Sequence, residues 1–260
     1  MTPGECLRAM RDQTPLVHCI TNYVAMNIAA NVTLAAGASP AMIHAAEEVA
    51  DFVQVAHALT INIGTLSTPW RDGMLIAAQA AKAHGVPWVL DPVAHFATPY
   101  RAKAAQDLLI HAPSIIRGNA SEIIALAGGG GAGKGADSGD RVADAQGTAT
   151  DLAARQSCVV AVTGPVDFVT DGSRSVTVRG GADLMPKITA LGCSLTAVMG
   201  AYAAVASPFD AAVAALVHFA AAGECAAATA NGPGSFAVGF LDQLHAVQPA
   251  DLDESRLTWL

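Results

Sequence analysis

Charge is scarce in this sequence: Asp, Glu, Lys and Arg together make up 14% of its 260 residues, against 52% apolar residues. With a net charge of −8 and no cluster of Lys or Arg, it lacks the concentrated positive surface that a phosphate backbone requires, so nucleic acid is not an expected partner. Cysteine pairing is missing as well. Cys6, Cys19, Cys158, Cys193 and Cys225 are odd in number, widely spread and without a C-x-x-C pair, which argues against a disulfide framework or a zinc site and for a reducing compartment. No stretch of about 18 apolar residues runs without a polar or turn break. The opening residues, MTPGECLRAMRDQ, interleave acid and base with no apolar h-region, so a cytoplasmic protein without membrane contact is expected. The sequence also has no G-x-G-x-x-G after the first strands, no G-x-S-x-G and no H-E-x-x-H. Those absences remove the main arguments for a dinucleotide dehydrogenase, a hydrolase elbow and a paired-histidine metal site. The eight histidines read as structural or solvent-facing.

What is present is an alternation of short β-rich runs with longer alanine-rich runs, the pattern of a mostly parallel sheet covered by helices on both faces. Strands are expected at 15–20, 41–44, 59–63, 87–93, 114–117, 158–163, 167–170 and 175–178. Helices are expected at 24–36, 47–56, 68–84, 100–111, 120–127 and 143–156, and then in succession at 193–206, 208–230 and 235–245. The length fits one α/β domain over residues 1–260, and the weakly charged surface leaves area for burial between subunits. Several strands end in polar or glycine punctuation (IGT, DPV, RGN, VTG), and in open α/β sheets ligands bind at that carboxyl end. The segment 128–140 contains Gly128, Gly133 and Lys134 at G-x-x-x-x-G-K spacing, but Gly135 stands where a P-loop needs Ser or Thr and no strand precedes it. A flexible glycine-type loop is the better reading.

Five segments carry candidate chemistry. In ITALGCSLTA, a small-residue turn at Ala190, Leu191 and Gly192 opens a long helix whose free N–H groups form an anion hole, while the helix dipole is expected to lower the pKa of Cys193; plain packing of small residues is the alternative. In IIRGNASEI, Asn119 and Glu122 read equally as a magnesium-organising pair and as a capping box, and Arg117 before them could hold a nucleotide phosphate in its planar fork. Asp91 in VLDPV closes an apolar strand, where a metal would compensate its burial, unless it is simply a turn-forming Asp-Pro. The turn of VAVTGPVDFVTDG presents the Thr163 hydroxyl and backbone amides to a phosphate, or is an ordinary hairpin. Asn22 and Met42, near strand ends, could line a small heteroaromatic pocket, or be a turn asparagine and a core methionine.

Taken in order, PLVHCITNYVAMN, GASPAMIHAAEEV, LTINIGTL, DPV, IIRGNASEI, VAVTGPVDFVTDG, ITALGCSLTA and NGPGSFAVGFLDQL resemble hydroxyethylthiazole kinases of the ribokinase-like superfamily over nearly the whole chain. That resemblance implies a three-layer α/β/α fold and ATP-dependent phosphorylation of 4-methyl-5-(2-hydroxyethyl)thiazole in thiamine biosynthesis, with Mg2+ as cofactor. It further implies a homotrimer with active sites at subunit boundaries. It places Met42, Asn22 and the main chain of Ala190 on the substrate, Arg117 and Thr163 on ATP, Gly192 in the anion hole, Glu122 and Asp91 near the metal and phosphates, and Cys193 where related sugar kinases carry their aspartate base. Two departures stand out. Ala190 replaces the first glycine of T-G-x-G-C, and Ala94-His95-Phe96-Ala97-Thr98 replaces a glycine-bearing G-A-T. A kinase acting on another vitamin precursor, such as a pyrimidine or pyridoxal alcohol, and a non-catalytic oligomeric binding protein are the rival readings.

Overall fold

A computed structural model describes residues 1–128 and 141–260; Gly133, Lys134 and Gly135 of the P-loop-like segment lie outside them. Among the described residues, nine strands form one sheet in the order β2-β1-β3-β4-β5-β6-β7-β8-β9. They are β1 (Leu16–Ile20), β2 (Ser39–Ala41), β3 (Ala58–Asn62), β4 (Trp88–Asp91), β5 (Ile115–Asn119), β6 (Val159–Thr163), β7 (Val166–Thr170), β8 (Ser175–Arg179) and β9 (Leu257–Trp259). Strands β2 to β6 pair in parallel, and β7, β8 and β9 continue the sheet antiparallel.

The central strands read as unbroken apolar runs because both faces are covered, and their alternating side chains serve two cores. On β4, Val89 enters one core while Trp88 and Leu90 enter the other. On β6, Val159 and Ala161 point one way and Val160 and Val162 the opposite way. The first core is closed by α1 (Pro3–Gln13), α2 (Met26–Ala36), α8 (Leu191–Ala203), α9 (Pro208–Ala227) and α10 (Pro233–Ala246). The second face is covered by α3 (Val49–Val55), α4 (Thr68–His84), α5 (Pro99–Leu109), α6 (Ala120–Leu126) and α7 (Val142–Gln156). The result is a three-layer α/β/α fold. Among the described residues α9 is the one helix long and apolar enough to cross a membrane, and 83% of its apolar stretch is buried in this core.

Helix α8 positions the site. A Cβ at Gly200 would collide with Thr60 of β3, so the bare backbone lets α8 lie close on the sheet, with its first turn at the carboxyl ends of the central strands.

The expected elements are all present, with two additions and one shift. Helix α1 forms on a capping box in which the Thr2 hydroxyl accepts from Glu5 N–H and the Glu5 carboxylate accepts from Thr2 N–H, with Pro3 at the first helical position. Strand β9 adds three residues beside β8. Strand β2 lies at 39–41 instead of 41–44; it is the sheet edge, where the missing N–H of Pro40 costs no ladder bond.

Candidate active site

A cleft of about 600 Å³ opens along the carboxyl ends of β4, β5 and β6 and the first turn of α8. Asp91, Arg117, Glu122, Thr163, Gly192 and Cys193 all line it, as does Ala190. Its far end is apolar, walled by Met185, Leu191, Leu195, Leu216 and Phe219 and by the turn at Gly180 and Gly181. Seven of the nine residues that the family resemblance places at the site therefore meet in one cavity, although they come from five elements: β4, β5, α6, β6 and the start of α8.

Arg117 is the centre of the polar end. Its Nη2 donates to Thr163 Oγ1 at 2.7 Å and its Nη1 reaches Asp91 Oδ2 at 3.4 Å. The guanidinium also lies over the tip of α8: a Cβ at Gly192 would stand 2.9 Å from Arg117 Nη2 and 3.0 Å from Nη1. A cation thus faces the positive end of a helix dipole across a gap that only glycine leaves open. Such an arrangement is favourable when an anion lies in the cleft against both.

Asp91 is fully buried, and among the described residues one of its oxygens carries all its hydrogen bonds. Oδ2 accepts from Asn62 Nδ2 at 2.7 Å, from Thr196 Oγ1 at 2.8 Å and from Arg117, while Oδ1 has no partner among the described residues. Burial raises the Asp91 carboxyl above its ordinary range, against the pull of Arg117, Thr196 and Asn62. Glu122 is raised too, first by burial and then by the negative charge of Asp91. Its carboxylate holds the loop after β4 to the start of α6: Oε1 accepts from Ala94 N–H at 2.9 Å and Oε2 from Asn119 N–H at 2.9 Å, with Asn119 Oδ1 accepting from Glu122 N–H at 2.9 Å. The capping box is therefore formed, and it leaves the second lone pairs of the carboxylate in place.

These groups fit a magnesium ion. Among the described residues no three His, Cys, Asp or Glu side chains gather into a cage, and Mg2+ seldom asks for one, because it is held through one or two carboxylates, water and substrate phosphates. The bare Asp91 Oδ1 and the neighbouring Glu122 carboxylate supply that donor set.

One expectation is corrected. The dipole of α8 does not leave Cys193 with a low pKa: burial, joined by Asp91, pushes the thiol up to about 11, outweighing Arg117, Asn22 and Asn62. Met42 lies outside this cleft, partly buried against the first core. Asn22 stays outside the lining but joins it by contact, its Nδ2 lying 3.5 Å from Cys193 Sγ and 2.8 Å from Asn62 Oδ1. Asn62, Thr196 and Asp167 were not singled out in the sequence. Asp167, half-buried on β7, accepts from Gly164 N–H at 2.9 Å, and burial pushes its carboxyl up to about 7. The spacing Cys193-x-x-Thr196 put the threonine one helical turn beyond the cysteine, and that was the available signal.

The model of the hydroxyethylthiazole kinase family matches residues 7–250. A hydroxyethylthiazole kinase of Roseobacter denitrificans is 64% identical over 252 residues, which cover 97% of this chain and 98% of the relative. The chain belongs to the hydroxyethylthiazole kinase family. Another hydroxyethylthiazole kinase, from Gemmatimonas aurantiaca, is 57% identical across 100% of this chain and 94% of its own. The solved structure of a hydroxyethylthiazole kinase protein from Pyrococcus horikoshii superposes with a TM-score of 0.91 at 37% identity, covering 99% of this chain and 98% of that one. A pyridoxal kinase from Staphylococcus aureus, solved with AMP-PCP and pyridoxal, shares the fold at a TM-score of 0.60 and 17% identity, covering 81% and 88% of the two chains. The fold is ribokinase-like, as the family resemblance implied.

The two departures from the hydroxyethylthiazole kinase pattern have a common geometry. Ala94 and Ala190 both adopt left-handed backbone, at φ 46° and φ 58°, where glycine is at no disadvantage and an alanine is strained by on the order of 1 kcal/mol. Both turns nevertheless close. Ala94 N–H bonds Glu122, its carbonyl accepts from Arg101 Nε at 3.2 Å, and the Ala190 carbonyl accepts from Ser194 N–H at 2.9 Å.

Proposed function

We propose that the cleft transfers the γ-phosphoryl group of ATP, in line, to the primary hydroxyl of 4-methyl-5-(2-hydroxyethyl)thiazole. As a hydroxyethylthiazole kinase family member the chain serves thiamine biosynthesis. The bond from the γ-phosphorus to the β,γ-bridging oxygen breaks, a bond to the alcohol oxygen forms, and the hydroxyl proton is released, leaving ADP and the thiazole phosphate. The observation that carries this reading is the Arg117 guanidinium facing the first turn of α8 across a glycine-sized gap. Two positive ends aimed at one space stabilise charge on a migrating phosphoryl group.

The division of the cleft supports the placement. The adenine lies against Met185, Leu216 and Phe219, and the phosphates run toward Arg117 and Thr163, whose own hydrogen bond fixes both side chains in advance. Asp91 and Glu122 would hold Mg2+, which when bound neutralises phosphate charge. The alcohol approaches from the side of Cys193 and Asn22. Because the transfer is loose, little deprotonation is needed before the new bond forms. A thiol that keeps its proton near neutral pH therefore suits orientation of the alcohol better than removal of its proton.

Residues 1–260 act as one domain, a reading supported by the unbroken sheet from β2 to β9. A cytoplasmic homotrimer would complete the thiazole pocket. Met42 outside the cleft and the exposed Tyr23, Val24 and Leu34 around Asn22 and α2 support that assembly.

The test is direct. Purified protein with ATP, Mg2+ and hydroxyethylthiazole should release ADP and yield a phosphorylated thiazole by mass spectrometry, with higher turnover than on hydroxymethylpyrimidine or pyridoxal. ATP or thiazole binding without ADP release would support the non-catalytic reading instead.

A further inference from the structure

Asn62 closes β3 and is 2% exposed. The two ends of its side-chain amide face different parts of the site. Oδ1 accepts from Asn22 Nδ2 at 2.8 Å and from Gly64 N–H at 2.9 Å, while Nδ2 donates to Asp91 Oδ2 at 2.7 Å. Only one orientation of this amide works: a flipped Asn62 would set its NH2 against the Gly64 N–H and its oxygen against the Asp91 carboxylate. Asn22 is fixed by the same logic, since its Oδ1 accepts from Val24 N–H and Ala25 N–H, each at 3.0 Å, which leaves its NH2 to face Asn62 and Cys193. The fit is tight enough that a Cβ on Gly64 would lie 2.6 Å from Asn22 Nδ2.

From the other side, Thr196 Oγ1 donates to the same Asp91 oxygen at 2.8 Å. Two short donors on Oδ2 fix the rotation of the carboxyl group, and Oδ1 is left as its unbonded oxygen in a cleft-lining residue. The alcohol side, through Asn22 and Cys193, and the phosphate side, through Asp91 and Arg117, are thereby joined in one hydrogen-bonded chain with Asn62 as its link.

We propose that Asn62 and Thr196 are positioning residues that act through Asp91: they hold its carboxyl so that Oδ1 faces the transferring phosphoryl group, and Asn62 keeps that geometry in register with the alcohol side. The inference rests on the kinase reading above. Chains of satisfied buried hydrogen bonds specify one arrangement because each broken link strands its neighbours.

The experiment measures kcat, both KM values and the unfolding temperature for Asn62→Leu and Thr196→Val, each made in the wild type and in an Asp91→Asn background. If the two residues act through Asp91, each substitution lowers kcat at least about tenfold in the wild type and by less than about twofold with Asp91→Asn, since the orientation they enforce is then already without effect. A structural role alone predicts equal losses in both backgrounds, in step with the unfolding temperature. Equal losses, or full kcat in either single variant, overturn the proposal. Should Asn62→Leu fail to fold, Thr196→Val, which is isosteric and serves the same oxygen, decides it by the same criterion. A wild-type enzyme that forms no phosphorylated thiazole in the same assay would instead overturn the kinase reading.

Discussion

Two buried polar chains run through this protein, and they are completed differently. Inside the helical layer, Tyr202 Oη donates to His218 Nδ1 at 2.9 Å and His218 Nε2 donates to the Leu244 carbonyl at 3.0 Å, so the ring has a partner on each side and the neutral tautomer is fixed. At the strand ends, the chain from Asn22 through Asn62, Asp91 and Arg117 to Thr163 leaves Asp91 Oδ1 and Arg117 Nε buried without partners among the described residues. Buried polar atoms are nearly always bonded. The helical chain obeys that rule because it only has to hold the fold, whereas the strand-end chain departs from it where the phosphate and cation are proposed to bind. Bonding capacity held open in this way lowers stability in exchange for function.

The contrast is broken most severely at Asp91. Asp91→Asn keeps the shape and removes a charge that burial disfavours, so kcat should fall by roughly 10²–10³-fold while the unfolding temperature stays level or rises. A loss of both in parallel would mean that the strand-end chain is structural like the other. The next largest effect is expected from acid. Burial holds His218 at about 4 in the folded protein, below its ordinary value of 6.5, and His18, whose Nε2 donates to the Ile43 carbonyl, is likewise held at about 4. The unfolded chain takes up protons that these folded rings refuse. The two rings should therefore cost stability as the pH falls from about 6.5 toward 4, by roughly 3 kcal/mol for His218, set against the gain from protonating the raised Asp91, Glu122 and Asp167 carboxyls. Denaturant titrations across that range check it, and His218→Gln should make the decline shallower.

Smaller effects sharpen the comparison. Tyr202→Phe leaves the His218 nitrogen without a donor and should cost about 1–2 kcal/mol of stability with kcat unchanged. Cys193→Ala should lower kcat by less than about tenfold, and by more than it weakens ATP binding, since a thiol held at about 11 is not an effective base near neutral pH. A loss of about a thousandfold would show that the cysteine removes the proton after all. Ala94→Gly should relieve left-handed strain and raise stability by about 0.5–1 kcal/mol without changing turnover, read from thermal melts.

Much of this was legible in the residues. Strands β3 to β8 announced themselves as short apolar runs ending in punctuation, and seven of the candidate residues share the cleft because strand ends in a parallel sheet converge on one edge. Helix α1 was not among the expected elements, although Thr2, Pro3 and Glu5 spell a helix start, and the three residues of β9 are too few for periodicity to register. What stayed hidden was pairing across distance. Asn62 reads as ordinary punctuation in LTINIGTL, and its partners Asn22 and Asp91 lie 40 and 29 residues away. The thiol of Cys193 was misjudged for a related reason: the dipole of α8 is visible in the sequence, but the burial that outweighs it arises only from packing. Met42 lies outside the cleft of the single chain, and a methionine near a strand end serves a pocket and a core equally well.

The central claim is that the phosphoryl group migrates beside the Arg117 guanidinium where it rests on the tip of α8. Gly192→Ala would put a methyl 2.9 Å from Arg117 Nη2 and push the guanidinium off the tip of α8 while removing no titratable group. The account predicts a kcat reduced by about a hundredfold or more at saturating ATP and thiazole, with an unfolding temperature close to that of the parent. A Gly192→Ala enzyme with undiminished kcat would contradict it.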